Sequence, residues 1–283
     1  LILDGLVFGA IDTGLLASLP LPVVAMLHHP LGLEAGLPPA RAAELIARET
    51  ANLCHAARVV VPSDHTARIL AADFGVDPAR IHVALPGFDR PPARPAPPPA
   101  SPPLILSVGL ICRRKGHDVL LDALAGLKHL DWQAAIVGMT HDPEVESALR
   151  AQREALGLAP RVRLTGQIAP EALDSLWRQA RVFALATRYE GYGMVISEAL
   201  LYGLPVVSCA VGAVPQTLPP GAGLLVAPDD PAALAGALEQ VLTDDALHAR
   251  LSATAALEAA RLPRWTDTAS VMRAALAAAR TGA

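Results

Sequence analysis

Residues 183–215 read F-A-L-A-T-R-Y-E-G-Y-G-M-V-I-S-E-A-L-L-Y-G-L-P-V-V-S-C-A-V-G-A-V-P, and the order of elements in this stretch decides the fold. Val182 to Leu185 is a short apolar run that predicts a buried strand. Thr187-Arg188-Tyr189-Glu190 is a polar turn, followed by Gly191 and Gly193. Met194 to Tyr202 has helical apolar spacing, Gly203 ends it, and Pro205-Val206-Val207-Ser208 starts another strand. A strand, a glycine turn and a helix N-terminus in that order place backbone N–H groups and a positive dipole end at the mouth of a parallel sheet. That arrangement favours an anion such as a diphosphate. Gly191-Tyr192-Gly193 is not a dinucleotide fingerprint, because the third glycine of G-x-G-x-x-G is replaced by Ile196. Two carboxylates flank the turn: Glu190 within it and Glu198 on the helix. Glu198 has the placement to accept ribose hydroxyls and Glu190 those of a sugar.

Working outward, the same grammar repeats on both sides. Towards the C-terminus, Gly223 to Val226 reads as a strand. Pro231 to Leu242, Asp245 to Ala260 and Thr266 to Ala279 read as helices. Towards the N-terminus, strands are predicted at Leu104 to Val108, Gln133 to Val137 and Val162 to Leu164. Helices are predicted at Asp118 to Leu130, at Pro143 to Leu156 and after Pro170. Arg113-Arg114-Lys115-Gly116 lies between a strand and a helix. Only two of the 23 Lys and Arg residues are lysine, Lys115 and Lys128. An ammonium in a strand-end loop suits a phosphate oxygen, and Arg114 can add a bidentate contact. A solvated charged turn fits that spacing equally well.

Eight of the fourteen residues from Arg90 to Pro103 are proline. Such a segment resists helix and central strand and marks a boundary. Before it, strands are predicted at Leu1 to Leu3, Pro22 to Leu27, Arg58 to Val61 and Ile81 to Leu85, with Asp4-Gly5 as a turn. Helices are predicted over Pro38 to His55 and from Asp64 to Phe74, the latter capped by Ser63 and closed by Gly75. His28 and His29 follow a strand, where open α/β sheets hold ligands, yet spacing alone favours two exposed loop histidines. Glu34 carries no signal of its own.

The whole is an α/β chain of parallel, doubly wound character. Its 283 residues, 52% hydrophobic with mean hydropathy +0.38, suffice for two domains with large cores. A net charge of −4 without a basic run argues against a nucleic-acid partner. Cys54, Cys112 and Cys209 lack CxxC spacing, which fits a reducing cytoplasm with neither disulfide framework nor zinc site. The longest uncharged window, Ala199 to Pro228, is broken by Gly203, Pro205, Gly212, Pro215, Pro219, Pro220 and Gly221, so no membrane span is predicted. No signal peptide is read. The apolar start without Met predicts an N-terminal truncation.

The run Y-E-G-Y-G-M-V-I-S-E-A-L-L-Y-G-L-P-V-V-S resembles the E-x7-E signature of retaining glycosyltransferases of family 4. S-V-G-L-I-C-R-R-K-G-H-D-V-L-L-D-A-L is similar to that family's phosphate-binding loop, and V-R-L-T-G-Q-I to its strand beside the base. G-L-L-V-A-P-D-D-P-A-A-L-A is similar to its late strand and helix. V-V-V-P-S-D-H-T-A-R-I-L and I-H-V-A-L-P-G-F-D look like the end of its first domain.

The resemblance implies a GT-B fold: two Rossmann-like domains facing across a cleft. These would be an incomplete acceptor-side domain at 1–89, a linker at 90–103, a nucleotide-sugar domain at 104–264, and a helix at 265–283 returning to the first domain. It implies a metal-independent, cofactor-free enzyme that moves a sugar from a nucleotide-diphosphate donor to a saccharide, lipid-linked or small-molecule acceptor, with room for peripheral membrane contact. Lys115 and Arg114 would bind the diphosphate. Gly193, Met194 and Val195 would offer it amides. Gly109, Gln167 and Gly191 would complete the donor site, with the base near Gly138 and Gln167. Glu198 would hold the ribose, Glu190 the transferred sugar, and His28 would lie near the reacting centre. The chain departs from the family at Leu110, where an Arg is common; Arg114 would take that role. A sugar-nucleotide epimerase and a non-catalytic nucleotide-sugar-binding chain are compatible with the same fold.

Overall fold

A computed structural model describes residues 1–34, 36–93 and 97–281. The chain divides into two compact units: Leu1–Asp89 together with the segment from Pro263 onward, and Arg90–Leu262. Residues 94–96 of the proline-rich stretch lie outside the described residues.

The first unit runs β1 (Ile2–Asp4), α1 (Gly5–Ala10), α2 (Thr13–Ala17), β2 (Val23–Met26), α3 (Pro39–Leu53), β3 (Ala56–Val61), α4 (Asp64–Asp73) and β4 (Ile81–Val83). Its strands pair in parallel in the order β1-β2-β3-β4. Side chains alternate across this sheet with the period of two expected of strands. Val23, Ala25, Val59 and Val61 join Phe8, Leu53, Leu70 and Phe74 on one face. Val24 and Val60 meet Ala275 and Ala279 of the C-terminal helix on the other.

The second unit runs β5 (Leu104–Val108), α5 (His117–Gly126), β6 (Gln133–Val137), α6 (Pro143–Ala155), β7 (Val162–Gly166), α7 (Pro170–Gln179) and β8 (Ala180–Leu185). It continues with α8 (Met194–Leu201), β9 (Val206–Cys209), α9 (Val214–Thr217), β10 (Gly223–Val226), α10 (Pro231–Thr243) and α11 (Asp245–Ala259). The C-terminal helix α12 (Trp265–Thr281) belongs to the first unit.

The six strands are parallel, in the order β10-β9-β8-β5-β6-β7. Helices cover both faces, so the strands read as nearly unbroken apolar runs. Ile105, Ile136, Val182 and Ala184 point into one core with Leu120, Leu124 and Leu238. Leu104, Leu106, Phe183 and Leu185 point into the other with Trp177, Ile196 and Leu200. The chain builds outward from β5 through β6 to β7, then returns to the opposite side of β5 to lay down β8. The order of strands therefore reverses between β5 and β8. The loops after those two strands meet at the carboxyl ends, where open α/β sheets hold their ligands.

One expectation is corrected. Asp4-Gly5 is no simple turn: the Asp4 carboxylate accepts the Leu6 N–H at 3.0 Å and caps α1. Gly5 packs tightly there, since a Cβ would lie 3.2 Å from the Met26 carbonyl oxygen. Asp followed by Gly suits a turn and a helix start equally, and only the packing against β2 decides. Ser63 does cap α4, accepting from the Thr66 N–H at 3.1 Å. Among the described residues no helix is long and apolar enough to cross a membrane.

Candidate active site

Two loops meet at the carboxyl ends of β5 and β8. After β5 the backbone passes Gly109 and Leu110, forms a 3-10 turn at Arg113–Lys115, and enters α5 through Gly116. After β8 it passes Thr187 to Gly193 and enters α8. Gly116 has φ +62°, and a Cβ there would sit 1.9 Å from the Ala186 carbonyl oxygen, so only glycine lets the loops close.

The loops are then stitched together. The Arg188 N–H donates to the Arg114 carbonyl at 2.8 Å, and the Thr187 hydroxyl to the same oxygen at 3.0 Å. The Arg114 guanidinium donates to the Tyr189 carbonyl at 3.1 Å.

At the centre is an ion pair. Lys115 Nζ donates to Glu190 Oε1 at 2.6 Å, with the two residues only 7% and 5% exposed. Thr187 Oγ1 also lies 3.0 Å from Oε1, so its single proton is shared between this oxygen and the Arg114 carbonyl, and Arg114 Nη1 stands 3.5 Å from Oε2. Glu190 is also held through its main chain, because the Ala213 N–H donates to its carbonyl at 2.9 Å. Gly212, at φ +53°, presses against that carbonyl: a Cβ would come within 2.4 Å of the oxygen.

Gly193, in the left-handed region at φ +88°, begins α8, and Met194 and Val195 stand in its first turn. Amides at such positions have no partner within the helix and point out of its start. Glu198 lies one turn further on. Burial pushes its carboxyl above the usual carboxylate range, and the charge of Lys115 pulls it partly back. Lys115 is thus paired with Glu190 and near enough for its charge to act on Glu198. Tyr192 is buried behind them, its hydroxyl 3.3 Å from Ser197 Oγ.

Gly109 and Gly138 close the ends of β5 and β6. The Gly109 N–H donates to the Val137 carbonyl at 2.9 Å, and a Cβ on Gly138 would lie 1.8 Å from the Gly109 oxygen. The Gly138 N–H donates to Gly166, the last residue of β7, and Gln167 follows, exposed. Leu110 is also partly exposed. Thus Gly109, Arg114, Lys115, Glu190, Gly191 and Gly193 lie on the β5 and β8 loops, Met194, Val195 and Glu198 on α8, and Gln167 at the end of β7.

His28 belongs to the first unit. It follows β2, exposed, with Nε2 3.2 Å from Asp4 Oδ2. His29 Nε2 lies 2.6 Å from Glu34 Oε2.

Thr187, Arg188 and His117 carry no functional expectation from the sequence. Thr187 is the buried hydroxyl that holds Glu190. Arg188 grips Asp118 with two bonds of 3.0 and 2.7 Å and Asp229 with one of 2.7 Å, fastening α5 and the approach to α10 to the β8 loop. Asp229 adopts φ +54° in doing so.

His117, the first residue of α5, is fully buried, and neither ring nitrogen makes a sound hydrogen bond among the described residues. Burial, reinforced by the Lys115 charge, depresses its imidazole to about 4. Its position directly after Lys115-Gly116 is the signal that could have found it. The Arg188 pairings offered none. Among the described residues no three His, Cys, Asp or Glu side chains form a group that could hold a metal ion.

Residues 90–257 match the family model described as glycosyl transferases group 1, and residues 7–91 the model of glycosyltransferase family 4. The chain belongs to the group 1 glycosyl transferases. It is 33% identical over 233 residues to the D-inositol 3-phosphate glycosyltransferase of Xylanimonas cellulosilytica, covering 76% of this chain and 55% of that protein. It is 29% identical to the mannosylfructose-phosphate synthase of Agrobacterium fabrum over 73% of this chain and 49% of the other. The chain spans about half the length of these relatives.

Among solved structures it is similar to sucrose-phosphate synthase from Thermosynechococcus elongatus. The TM-score is 0.83 at 25% identity, covering 100% of this chain and 74% of that one. Anabaena HepE in complex with UDP and glucose gives a TM-score of 0.75 at 21% identity, covering 89% and 71%. With the two parallel sheets, these likenesses give the chain the GT-B fold.

Proposed function

We propose that this chain is a retaining glycosyltransferase that moves a sugar from a nucleotide-diphosphate donor to an acceptor hydroxyl. One observation carries the reading: a buried ammonium, Lys115, is paired with Glu190 at 2.6 Å across the β5 and β8 loops, the second of which leads into α8. Family membership and the UDP and glucose named for HepE support a nucleotide-sugar donor.

In this reading Lys115, Arg114 and the amides of Met194 and Val195 take the charge that builds on the departing diphosphate, so the leaving group needs no metal ion. Gly191 and Gly193 let the backbone come close to it. Glu198 accepts the ribose hydroxyls, and Glu190 those of the transferred sugar. Gly138 and Gln167 border the base, and Gly109 completes the donor site. The acceptor hydroxyl attacks from the face the diphosphate leaves, and the leaving phosphate oxygen takes its proton. Arg114, tied to Tyr189 and Glu190, is proposed to serve the role that the family resemblance gives to an Arg at the position of Leu110. His28 is proposed to orient sugar or acceptor.

The test is a panel of nucleotide sugars with saccharide and small-molecule acceptors, run with and without EDTA. Transfer with retained anomeric configuration is expected in both conditions. Lys115→Ala and Glu190→Ala are each expected to lower kcat by well over tenfold. Near-normal rates in either variant would remove the assigned roles. Conversion of the donor sugar without an acceptor would make the chain an epimerase instead.

A further inference from the structure

The segment after β2 is held from beneath by a residue with no role in the donor site. Glu49, on α3, is fully buried. Its Oε2 accepts the Leu31 N–H at 2.9 Å, three residues beyond His28, and the Gly32 amide lies beside the same carboxyl. Its Oε1 has no hydrogen-bond partner among the described residues.

The seat is built closely around it. A Cβ on Gly32 would fall 2.4 Å from Ile46 Cγ1 and 2.9 Å from the Ala42 carbonyl oxygen. A Cβ on Gly9 of α1 would fall 3.1 Å from Glu49 Oε1. The two glycines let α1 and the Leu31–Leu33 turn close over a carboxyl that water does not reach.

Few charges face it. From the turn side comes His29, paired with Glu34. α1 and α2 bring no ionisable side chain. On β3 the single charged residue is Arg58, which donates to its neighbour's carbonyl. On α3 itself, Arg48 is engaged by Glu44 and the Ala10 carbonyl.

We propose that Glu49 is the positioning residue of the His28–Leu33 segment, and that its proton governs how firmly the segment closes over α3. Closure buries the carboxyl; opening hydrates it. The protonated form tolerates the dry seat, whereas the ionised form gains solvation by opening, so closure weakens as pH rises. Burial raises this carboxyl from 4.5 to about 7 in the closed segment. At tenfold per pH unit, opening is favoured by up to about 300-fold across that interval and no further above it.

The link to turnover rests on the proposed role of His28; the latch itself does not. The experiment follows exchange of the Leu31 and Gly32 amides in the full chain by NMR between pH 4.5 and 8, corrected for intrinsic rates. Protection in the wild type is expected to fall by up to about 300-fold towards pH 7 and then level off. Glu49→Gln, which keeps an acceptor but cannot ionise, is expected to hold its protection constant. His29→Gln is expected to follow the wild type.

A wild-type profile as flat as that of Glu49→Gln would overturn the proposal, as would loss of the fall in His29→Gln. A direct titration of the Glu49 carboxyl carbon in the wild type decides the matter even if the variants do not fold. A midpoint near 7 supports the latch, and one below 5 refutes it. A working latch combined with full activity in His28→Ala would reject the role of His28 alone.

Discussion

Replacing Lys115 by Met gives the sharpest test of how the β5 and β8 loops are held. The substitution keeps an unbranched side chain of similar length and removes the charge, leaving the Glu190 carboxylate 5% exposed without its closest partner. Breaking a buried ion pair from one side costs roughly 3–5 kcal/mol, because the remaining charge is stranded away from water. Glu190 retains the Thr187 hydroxyl at 3.0 Å and Arg114 at 3.5 Å, which places the expected loss at the lower end, about 3 kcal/mol. For a unit of this size that is a fall in Tm of about 6–12 °C.

Glu190→Gln alone strands the ammonium instead, and the double variant strands neither charge. It is therefore expected to be more stable than the sum of the single losses predicts, with a coupling of about 2 kcal/mol or more. The assay is urea unfolding followed by tryptophan fluorescence in a Trp265→Phe background, since Trp132 and Trp177 both lie in the cores of the second unit. A coupling below about 0.5 kcal/mol, or a Lys115→Met variant within about 1 kcal/mol of wild type, would refute the reasoning.

Two further outcomes are expected. His117 is neutral in the folded chain down to about pH 4, whereas the unfolded chain takes up a proton near 6.5. Its contribution is full above pH 6.5 and is lost as pH falls towards 4, up to about 3 kcal/mol. His117→Asn is expected to flatten that part of the stability profile in urea titrations; an unchanged acid slope would count against the burial argument. Gly116→Ala is expected to destabilise the second unit by more than about 2 kcal/mol and to abolish nucleotide-dependent rise in Tm. It places a side chain against the Ala186 carbonyl at a positive φ.

Much of the second unit was legible because its strands are buried on both faces. Leu104 to Val108 and Val182 to Leu185 are short apolar runs bounded by turn residues, and nothing else in the chain competes with a strand there. Boundaries fared less well where apolar residues continue past a helix. The helix expected to reach Leu130 ends at Gly126, because Leu127 and Trp132 are buried without being helical. α1 and α2, at six and five residues, are too short to display a period. In the site, the loops that carry Lys115 and Glu190 could be recognised by their place after strands. The bond between the two spans 75 positions, and the grip of Arg188 on Asp118 spans 70. Such pairings are set by strand order in the folded sheet, which single positions in a sequence do not encode. Glu49 was passed over for a related reason: on an amphipathic helix a carboxylate is ordinarily solvent-facing, and only the glycines opposite it reveal a dry seat.

Gly212 presses on the main chain of Glu190 from the loop after the neighbouring strand, while Gly116 presses on Ala186 from the other side. The backbone of the β8 loop, at Ala186 and at Glu190, is thereby held by two residues that have no side chain to vary. An engineer seeking altered recognition therefore has little to gain from randomising either glycine. The adaptable positions are the exposed Leu110, after β5, and Met194, at the start of α8, where diversity can be explored while the frame beneath stays put.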